Sequence, residues 1–431
     1  MYSKCIQGIH VFMLTQKIKH IFSGEFIHNV GWLGGAELCN RIFRLATTVT
    51  LARTFSTEDY GLMAILYTVV ELANVFTLRQ GIGAKIVQAQ EKDVELLSNT
   101  AYWLNWILCV LIFLGQAAGA VILSNIYKND RLLLPIITAG IMYLMMPFYL
   151  INSSLIQRKN RLKIIALCTG IQSIIANIIT VFLALMGMGV WAIVWPMVLT
   201  TPVWIIITWH YQKWRPPTTF NLTRWQEITS FGGNLLGVEL LGKVRGNIDY
   251  LIIGHFLGID ALGMYYLAFN AGLGISLNVI NAFNSALFPY FCQVQHQLDQ
   301  LKYRFWSSLK KTYLVIGPLI LLQASLAPVY VPIIFGEQWK PAIPILILIC
   351  LSALPWSLSI SSFYLLNARG RPDISLYWNV GLTVLFTLVI LGAVQGGIIW
   401  VAVAVLLYQL VTVPPFTLWC LNYVFKNQAK A

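Results

Sequence analysis

Charge is what this chain has least of. Only 10% of its 431 residues are Asp, Glu, Lys or Arg, while 58% are hydrophobic; a soluble globular domain carries about a quarter charged residues, so a water-soluble fold is excluded. The seven cysteines, Cys5, Cys39, Cys109, Cys168, Cys292, Cys350 and Cys420, stand singly without a C-x-x-C pair. They therefore read as small apolar packing residues, not a disulfide or zinc framework. There is no H-E-x-x-H and no G-x-S-x-G, which removes the zinc-protease and nucleophile-elbow patterns. Gly237 to Lys243 spells the start of a phosphate-binding loop, but Val244 replaces the hydroxyl residue that would hold magnesium, and no strand precedes it. No metal, no cofactor and no ATP hydrolysis are expected. Nor is there an apolar stretch before Trp32 long enough for a signal-peptide core. Long loops are missing from one side as well, which argues against a membrane polymerase or glycosyltransferase, since either needs a sizeable catalytic domain outside the bilayer.

Apolar runs are what the chain has. Twelve spans of about 20 residues, as a hydrocarbon core of about 30 Å requires, fall near 33–54, 62–86, 99–124, 131–154, 164–186, 189–209, 232–256, 262–289, 312–335, 341–366, 374–394 and 397–421. The connections alternate in charge. The N-terminus, Arg79 with Lys85, Arg158 to Lys163, Lys213 to Arg224, Lys302 to Lys311, Arg369 with Arg371, and Lys426 with Lys430 form a basic set. By the positive-inside rule they face the cytoplasm, so a multi-pass protein of the cytoplasmic (inner) membrane with both termini on the cytoplasmic side is expected. The net charge of +13 is thus a topology signal and not a nucleic-acid surface.

Residues 1–31 read as a cytoplasmic or interfacial amphipathic helix, with Met13 as an alternative start. The basic break at 211–231 separates an N-terminal six-helix lobe, 32–210, from a C-terminal one, 232–423, followed by a tail at 424–431. An even number of spans per half puts both halves in the same orientation, as a parallel repeat. The expected fold is all-α and integral to the membrane, with 12 transmembrane helices in two parallel six-helix repeats.

The repeat is visible in the residues. At an offset of 202, Gly35 falls on Gly237, Glu37 on Glu239, Arg41 on Lys243, Glu58 on Asp260 and Gly61 on Gly263. Later in each half, Gln157 to Lys163 answers Asn367 to Asp373 at an offset close to 209. Charge within spans is concentrated on three helices: Glu37, Arg41, Arg44 and Arg53 on the first; Glu71, Arg79 and Lys85 on the second; Glu239, Lys243, Arg245 and Asp249 on the seventh. Each such charge costs about 2.5–3.5 kcal/mol at a helix centre on insertion scales. Glu37 with Arg41, and Glu239 with Lys243, could neutralise each other at i,i+4. The other reading is a polar cavity near the midplane, lined by equivalent helices of the two halves; the unmatched Arg44 favours it. Bases in a low-dielectric cavity suit a phosphate-bearing anion. Helix 7 has two polar faces, Glu239–Lys243–Asn247 and Arg245–Asp249, either of which could line the cavity. Helix 8 carries a small and amide stripe, Asn270, Gly274, Asn278, Asn281 and Ser285, and Gly115 with Gly119 forms a GxxxG on helix 3 that reads as helix packing.

LARTFSTEDYG after helix 1, RQGIGAKIVQ after helix 2, NIDYLIIGHFLGIDALGMYYLA across helices 7 and 8, and LFPYFCQVQ beyond resemble the polysaccharide transporter family. These are the Wzx-type lipid-linked oligosaccharide flippases of the multidrug/oligosaccharidyl-lipid/polysaccharide exporter superfamily. The resemblance runs from about Met13 to near the end. It implies a V-shaped pair of six-helix lobes around a cationic cavity that opens to one side at a time. The substrate it implies is an undecaprenyl-pyrophosphate-linked oligosaccharide, carried for capsule, exopolysaccharide or O-antigen assembly. Arg41, Arg44, Lys243 and Arg245 would then line the cavity, and Arg79 with Lys85 would meet the pyrophosphate at the cytoplasmic mouth. Glu37, Glu71, Glu239 and Asp249 would be coupling or ion-pair acids. Membrane lipids and a polysaccharide polymerase or export machinery are the expected partners. The alternative within the superfamily is a cation-coupled drug exporter, which predicts a cavity dominated by carboxylates.

Overall fold

In the computed structural model, residues 43–273, 280 and 287–425 are described, and they are helical with short connections and no strand. Helices are numbered here as they come: α1 at 43–54, α2 at Thr57–Phe76, α3 at Arg79–Gln88, α4 at Val94–Tyr127, α5 at Leu133–Met145 and α6 at Pro147–Arg158. Then follow α7 at Leu162–Leu185, α8 at Trp191–Leu199, α9 at Thr201–Tyr211, α10 at Trp225–Leu257 and α11 at Ile259–Ala268. The last are α12 at 287–292, α13 at Leu298–Tyr330, α14 at Ile343–Ala368, α15 at Pro372–Ala393 and α16 at Ile398–Phe425. The expected N-terminal amphipathic helix, Glu37, Arg41, the tail from residue 426, and Gly274, Asn278, Asn281 and Ser285 lie outside the described residues.

Eight helical segments among the described residues are long and apolar enough to cross a membrane, and the bent pair Asp130–Met145 with Pro147–Arg158 makes a ninth. The chain is a multi-pass membrane protein. Three expected spans are not in that set, for identifiable reasons. Helices 1 and 8 fall partly outside the described residues. The seventh is a continuous 33-residue helix, α10, about 50 Å long at 1.5 Å per residue, but Glu239, Lys243, Arg245 and Asp249 lower its hydropathy.

Several spans are broken where the backbone chemistry requires it. Met146 and Pro147 mark a 51° bend between α5 and α6, where the proline ring cannot continue an undistorted helix. Between α2 and α3, Leu78 adopts φ 51°, a left-handed conformation, and the Thr77 hydroxyl donates to the Asn74 carbonyl that the break frees. The span α8–α9 divides at Thr200, whose hydroxyl donates to the carbonyl of Pro196.

Matched turns recur across the chain. Asn160 and Gly370, 210 residues apart, both take positive φ, at 54° and 69°. In each case the turn amide bonds three residues back, to Gln157 in one and Asn367 in the other, and the next amide bonds the carbonyl of Ile156 or Leu366.

Packing differs between the two ends of the bundle. At the end that carries the short turns at Gly187, Gly258, Gly336 and Gly397, a single apolar core draws on helices from the whole chain, including Phe55, Leu62, Ile253, Tyr265, Trp339 and Val401. At the opposite, basic end the described residues form two separate cores. One is built on Ile82, Leu97, Tyr143, Leu155 and Ile228, the other on Phe291, Phe305, Leu365, Phe416 and Cys420. Ile228, on α10, packs in the first of these, so the basic end of α10 lies against the N-terminal half.

The tight-turn end is joined by an unusually close helix crossing. A Cβ added to Gly61 would lie 2.1 Å from the Ile259 carbonyl oxygen, and one added to Gly263 would lie 1.8 Å from the Thr57 carbonyl oxygen. These glycines hold equivalent places in the 202-residue repeat, so each half presents a bare backbone to the same point of the other. Around the crossing, Trp339 Nε1 donates to the Ala52 carbonyl at 2.7 Å, and Arg53 donates to the carbonyls of Ile333 and Ile334. The Tyr60 ring packs edge-on against Trp339. Ser56 and Asp59 form a capping box that fixes the start of α2. By contrast, Gly115 and Gly119 have nothing within 4 Å of an added Cβ, so among the described residues no helix packs closely on that GxxxG.

Gly61→Ala and Gly263→Ala should each separate the two helices and lower stability by about 1–3 kcal/mol, the usual cost of overpacking. Gly115→Ala and Gly119→Ala should be neutral or slightly stabilising, since Ala is the better helix former. Thermal unfolding of the four purified variants in detergent checks this, and equal losses at all four would contradict the crossing.

Candidate functional site

Polar groups in the bundle interior gather along the seam between α2–α3 and α10. From the tight-turn end, the Thr68 hydroxyl donates to Asn247 Oδ1 at 3.3 Å, and Asn247 Nδ2 donates to Glu71 Oε2 at 3.3 Å. The same carboxylate oxygen receives Lys243 Nζ at 3.0 Å. Further along, Gln80 Nε2 donates to Glu239 Oε1 at 3.3 Å. Gly81 and Gly232 then touch, with a Cβ on the former only 2.5 Å from the Cα of the latter. At the basic end Lys85 pairs with Glu227 at 3.4 Å, and Arg224 bonds both Glu227 and Asp93. The helix spacing makes this possible: Glu239, Lys243 and Asn247 are successive i,i+4 positions on one face.

The i,i+4 neutralisation of Glu239 by Lys243 does not form. Lys243 reaches across to Glu71 on α2, so the charge is balanced between halves of the chain and not within one helix. Side-chain exposures of 40% and 43% show the pair opening onto the interior space, where such bridges contribute about 0.2–1 kcal/mol.

The remaining candidates separate into two groups. Arg245 is on the other face of α10, bonded to Asn379 Oδ1 on α15. Asp249 is buried and accepts from the Tyr265 hydroxyl at 2.9 Å and the Tyr250 amide at 3.0 Å. Arg245 and Asp249 share a small internal cavity of ≈50 Å³ with Trp356 and Gln409, away from the seam, and they are not paired with each other. Arg44 and Arg79 have no carboxylate partner among the described residues. The guanidinium of Arg79 lies 5.9 Å from the ring centre of Tyr149 and 5.4 Å from that of Trp204, a cation–π seat worth about 0.5–1 kcal/mol at an exposed site. Sequence spacing does not reveal that seat, because its rings come from α6 and α9. Among the described residues no cluster of three or more His, Cys, Asp or Glu could hold a metal ion.

These features occur on a chain whose residues 50–344 match the family described as polysaccharide biosynthesis protein. The chain belongs to that family. It is 28% identical to the teichuronic acid biosynthesis protein TuaB of Bacillus subtilis (strain 168), over 96% of this chain and 84% of that protein. To the lipopolysaccharide biosynthesis protein WzxC of Escherichia coli (strain K12) it is 26% identical, over 85% of this chain and 75% of the other. Its fold is that of the lipid II flippase MurJ in an inward closed conformation, with a TM-score of 0.72 at 12% identity, covering 93% of this chain and 87% of that structure. The solved structures that share this fold include, besides that flippase, an inward-facing multidrug resistance MATE family transporter, with a TM-score of 0.67 at 12% identity, covering 90% of this chain and 96% of that structure.

Two predictions follow from the seam. Lys243→Glu should place two carboxylates together and lower the thermal midpoint, and Glu71→Lys combined with it should recover most of the loss; no recovery in the double variant would mean the two side chains do not pair. At the basic end, hydrogen bonding from Arg224 holds the Glu227 carboxyl below the ordinary carboxylate range, with Lys85 acting in the same direction. A lowered folded value means the stabilisation is present above the ordinary Glu value of 4.5 and is lost as pH falls through the folded value. The stability difference between wild type and Glu227→Gln, measured by thermal unfolding, should hold steady from neutral pH to about 4.5, shrink as the pH falls below that, and be gone once the pH is below the folded value.

Proposed function

We propose that this chain flips an undecaprenyl-pyrophosphate-linked oligosaccharide repeat unit from the cytoplasmic to the outer leaflet of the cytoplasmic membrane, for exopolysaccharide, capsule or O-antigen synthesis. In this reading two parallel six-helix lobes, 32–210 and 232–423, form a V around a central cationic cavity that opens alternately to each side. The recurring turns at Asn160 and Gly370 and the reciprocal Gly61 and Gly263 crossing support a repeat with an axis along the membrane normal. The shared core at one end and two separate cores at the other support a V open at the basic end. The charge distribution of the loops assigns that end, with both termini, to the cytoplasm.

The observation that carries the anionic substrate is the state of the cations. Lys243 and Lys85 are each balanced by an acid from the other side of the seam, while Arg44 and Arg79 have no carboxylate partner among the described residues. An arginine without an acid, next to interior space, is ready to take a phosphate through charge-assisted, bidentate hydrogen bonds. Arg79, about 33 Å along the helices from the α1–α2 turn, would meet the pyrophosphate first at the basic end, and Arg44, about 15 Å from that turn, would hold it deeper, with Arg41 expected beside Arg44. The Lys243–Glu71 bridge is a latch between the lobes that a bound pyrophosphate competes for. Glu71, Glu239 and Asp249 are the candidates for coupling to a proton or cation, and Arg245 acts inside the C-terminal lobe. Curated relatives named for teichuronic acid and lipopolysaccharide biosynthesis and a structural relative that is a lipid II flippase agree with this substrate class. A polysaccharide polymerase or export machinery would receive the product.

The test is flipping of a fluorescent undecaprenyl-pyrophosphate oligosaccharide in proteoliposomes at equal amounts of folded protein. Loss of one hydrogen bond to a charged group costs about 1.5–3 kcal/mol, so Arg44→Ala and Arg79→Ala should each slow flipping about tenfold to a hundredfold. Wild-type rates in both variants would overturn the assignment of these arginines. Efflux of a cationic dye without flipping by the wild type would hand the function to the drug-exporter alternative.

A further inference from the structure

A pocket of ≈330 Å³, open on one side, lies in the N-terminal half between α1, α2, α7 and α8 with the α8–α9 break. Hydroxyls and amides from Thr47, Thr169, Gln172, Ser173, Asn177, Thr180 and Thr200 share its wall with the Tyr67 ring and an apolar surface made by Leu51, Ala176, Ile193, Pro196 and Met197. No Asp, Glu, Lys, Arg or His lines it. This is unusual for a membrane interior, where polar groups without a task are costly.

The walls are pre-organised. Thr47 Oγ1 donates to Asn177 Oδ1 at 2.8 Å, and Asn177 Nδ2 donates to the Ser173 carbonyl at 2.7 Å. Trp204 Nε1 donates to Gln172 Oε1 at 2.6 Å, which orients that amide so that its Nε2 meets Thr200 Oγ1 at 3.3 Å. Two hydroxyls are left over. Thr180, only 7% exposed, and Tyr67 make no hydrogen bond among the described residues. A buried threonine hydroxyl that lines a cavity without a partner marks a place where a ligand group or a water completes the bonding.

The chemistry of the walls selects the ligand. Without a carboxylate the cavity offers nothing to a cationic drug or a coupling cation. Without a base it offers nothing to a phosphate, and its amides and hydroxyls would lose their water to an acyl chain without gaining partners. A neutral molecule with hydroxyls along one edge and an apolar face to lay on Tyr67, Ile193, Pro196 and Met197 matches both kinds of wall. The volume is at the lower end of the usual range for small-molecule sites, about the size of one sugar residue. Charge is near the pocket, because Arg44 stands one turn before the lining residue Thr47 on the same face of α1.

We infer that this cavity is a neutral sugar subsite that takes the glycosyl residue adjacent to the phosphate held at Arg44. The inference rests on the flippase reading for its cargo, yet binding of a sugar is measurable without transport. Gln172 and Asn177 are the selecting amides, and Thr180 supplies the free hydroxyl.

The test has two arms. In the first, the full chain in lipid nanodiscs is titrated with methyl glycosides of several hexoses and N-acetylhexosamines, followed by saturation-transfer NMR, with glycerol as control. At least one glycoside should bind. Gln172→Leu and Asn177→Leu should weaken it at least tenfold, and the near-isosteric Thr180→Val, which guards against misfolding, should weaken it severalfold. In the second arm, proteoliposomes compare flipping of the glycosylated lipid with bare undecaprenyl pyrophosphate. Wild type should prefer the glycosylated lipid, and the Gln172 and Asn177 variants should lose that preference while still flipping. Flipping with preference unchanged in folded variants overturns the sugar subsite and leaves the flippase. Glycoside binding lost in the variants, with no flipping by wild type, keeps the subsite and overturns the flippase. No glycoside binding by the wild type overturns the subsite.

Discussion

The crossing of α2 and α11 at Gly61 and Gly263 is the constraint on which the rest of the molecule depends. Two helices that approach so closely that neither tolerates a Cβ must have glycine at both positions. The reciprocal carbonyl contacts at Ile259 and Thr57 require the two halves to meet there with matched backbones. Everything at the tight-turn end follows from that proximity: Trp339 can reach the Ala52 carbonyl, Arg53 can reach the carbonyls after α13, and one apolar core can form from both halves. At the other end the start of α10 still lies against the N-terminal half, through Gly81 with Gly232 and Ile228 in its core, while among the described residues the core on Phe291 and Phe416 stands apart.

Charge placement follows from the same geometry. A lysine or glutamate in a membrane interior needs either a partner or water, and the seam supplies both for Glu71 and Lys243. The pair is cross-helical because Glu71 on α2 and Lys243 on α10 lie on facing helices, while the i,i+4 acid Glu239 is taken up by Gln80. The arginines behave differently. Arg53 is spent on backbone carbonyls and Arg245 on an asparagine of the C-terminal half, whereas Arg79 rests on two aromatic rings and has no carboxylate partner among the described residues. Counting basic residues on a helix therefore overstates the cationic character of a cavity; what counts is the charge left after each side chain has found its partner.

Composition and periodicity made the membrane class and the all-helical fold legible, because apolar runs of span length leave few alternatives. The 202-residue recurrence of Gly61 and Gly263 was visible in the sequence, but its meaning was not: a repeat identifies equivalent positions without saying that they touch. Glu239 and Lys243 were readable as a polar face of α10, whereas the choice of Glu71 as the partner depends on how α2 meets α10, a long-range fact. The Arg79 seat was illegible for the same reason, since Tyr149 and Trp204 come from separate helices. The neutral cavity left a local trace that attention to charge passes over. Thr169, Gln172, Ser173, Asn177 and Thr180 recur at three- and four-residue spacing along α7, a polar face on a helix that carries no charge in its centre.

The two kinds of closure differ in how easily they can be undone. A glycine crossing is made of backbone surfaces without interlocking side chains, so its separation needs no rotamer to change. The seam from Thr68 to Glu227 is polar, and each of its hydrogen bonds is worth about 0.5–1.5 kcal/mol net, because water or a phosphate replaces the partner when it opens. An interlocked apolar seam of the same length would lose buried area at about 25 cal/mol per Å² with nothing to replace it. Interlocking apolar packing lies in the core that both halves share at the tight-turn end and in the two separate cores at the basic end. Exchangeable polar contacts are set along α2–α10. In the proposed flippase that division would let the basic ends of the halves part while the tight-turn end stays joined.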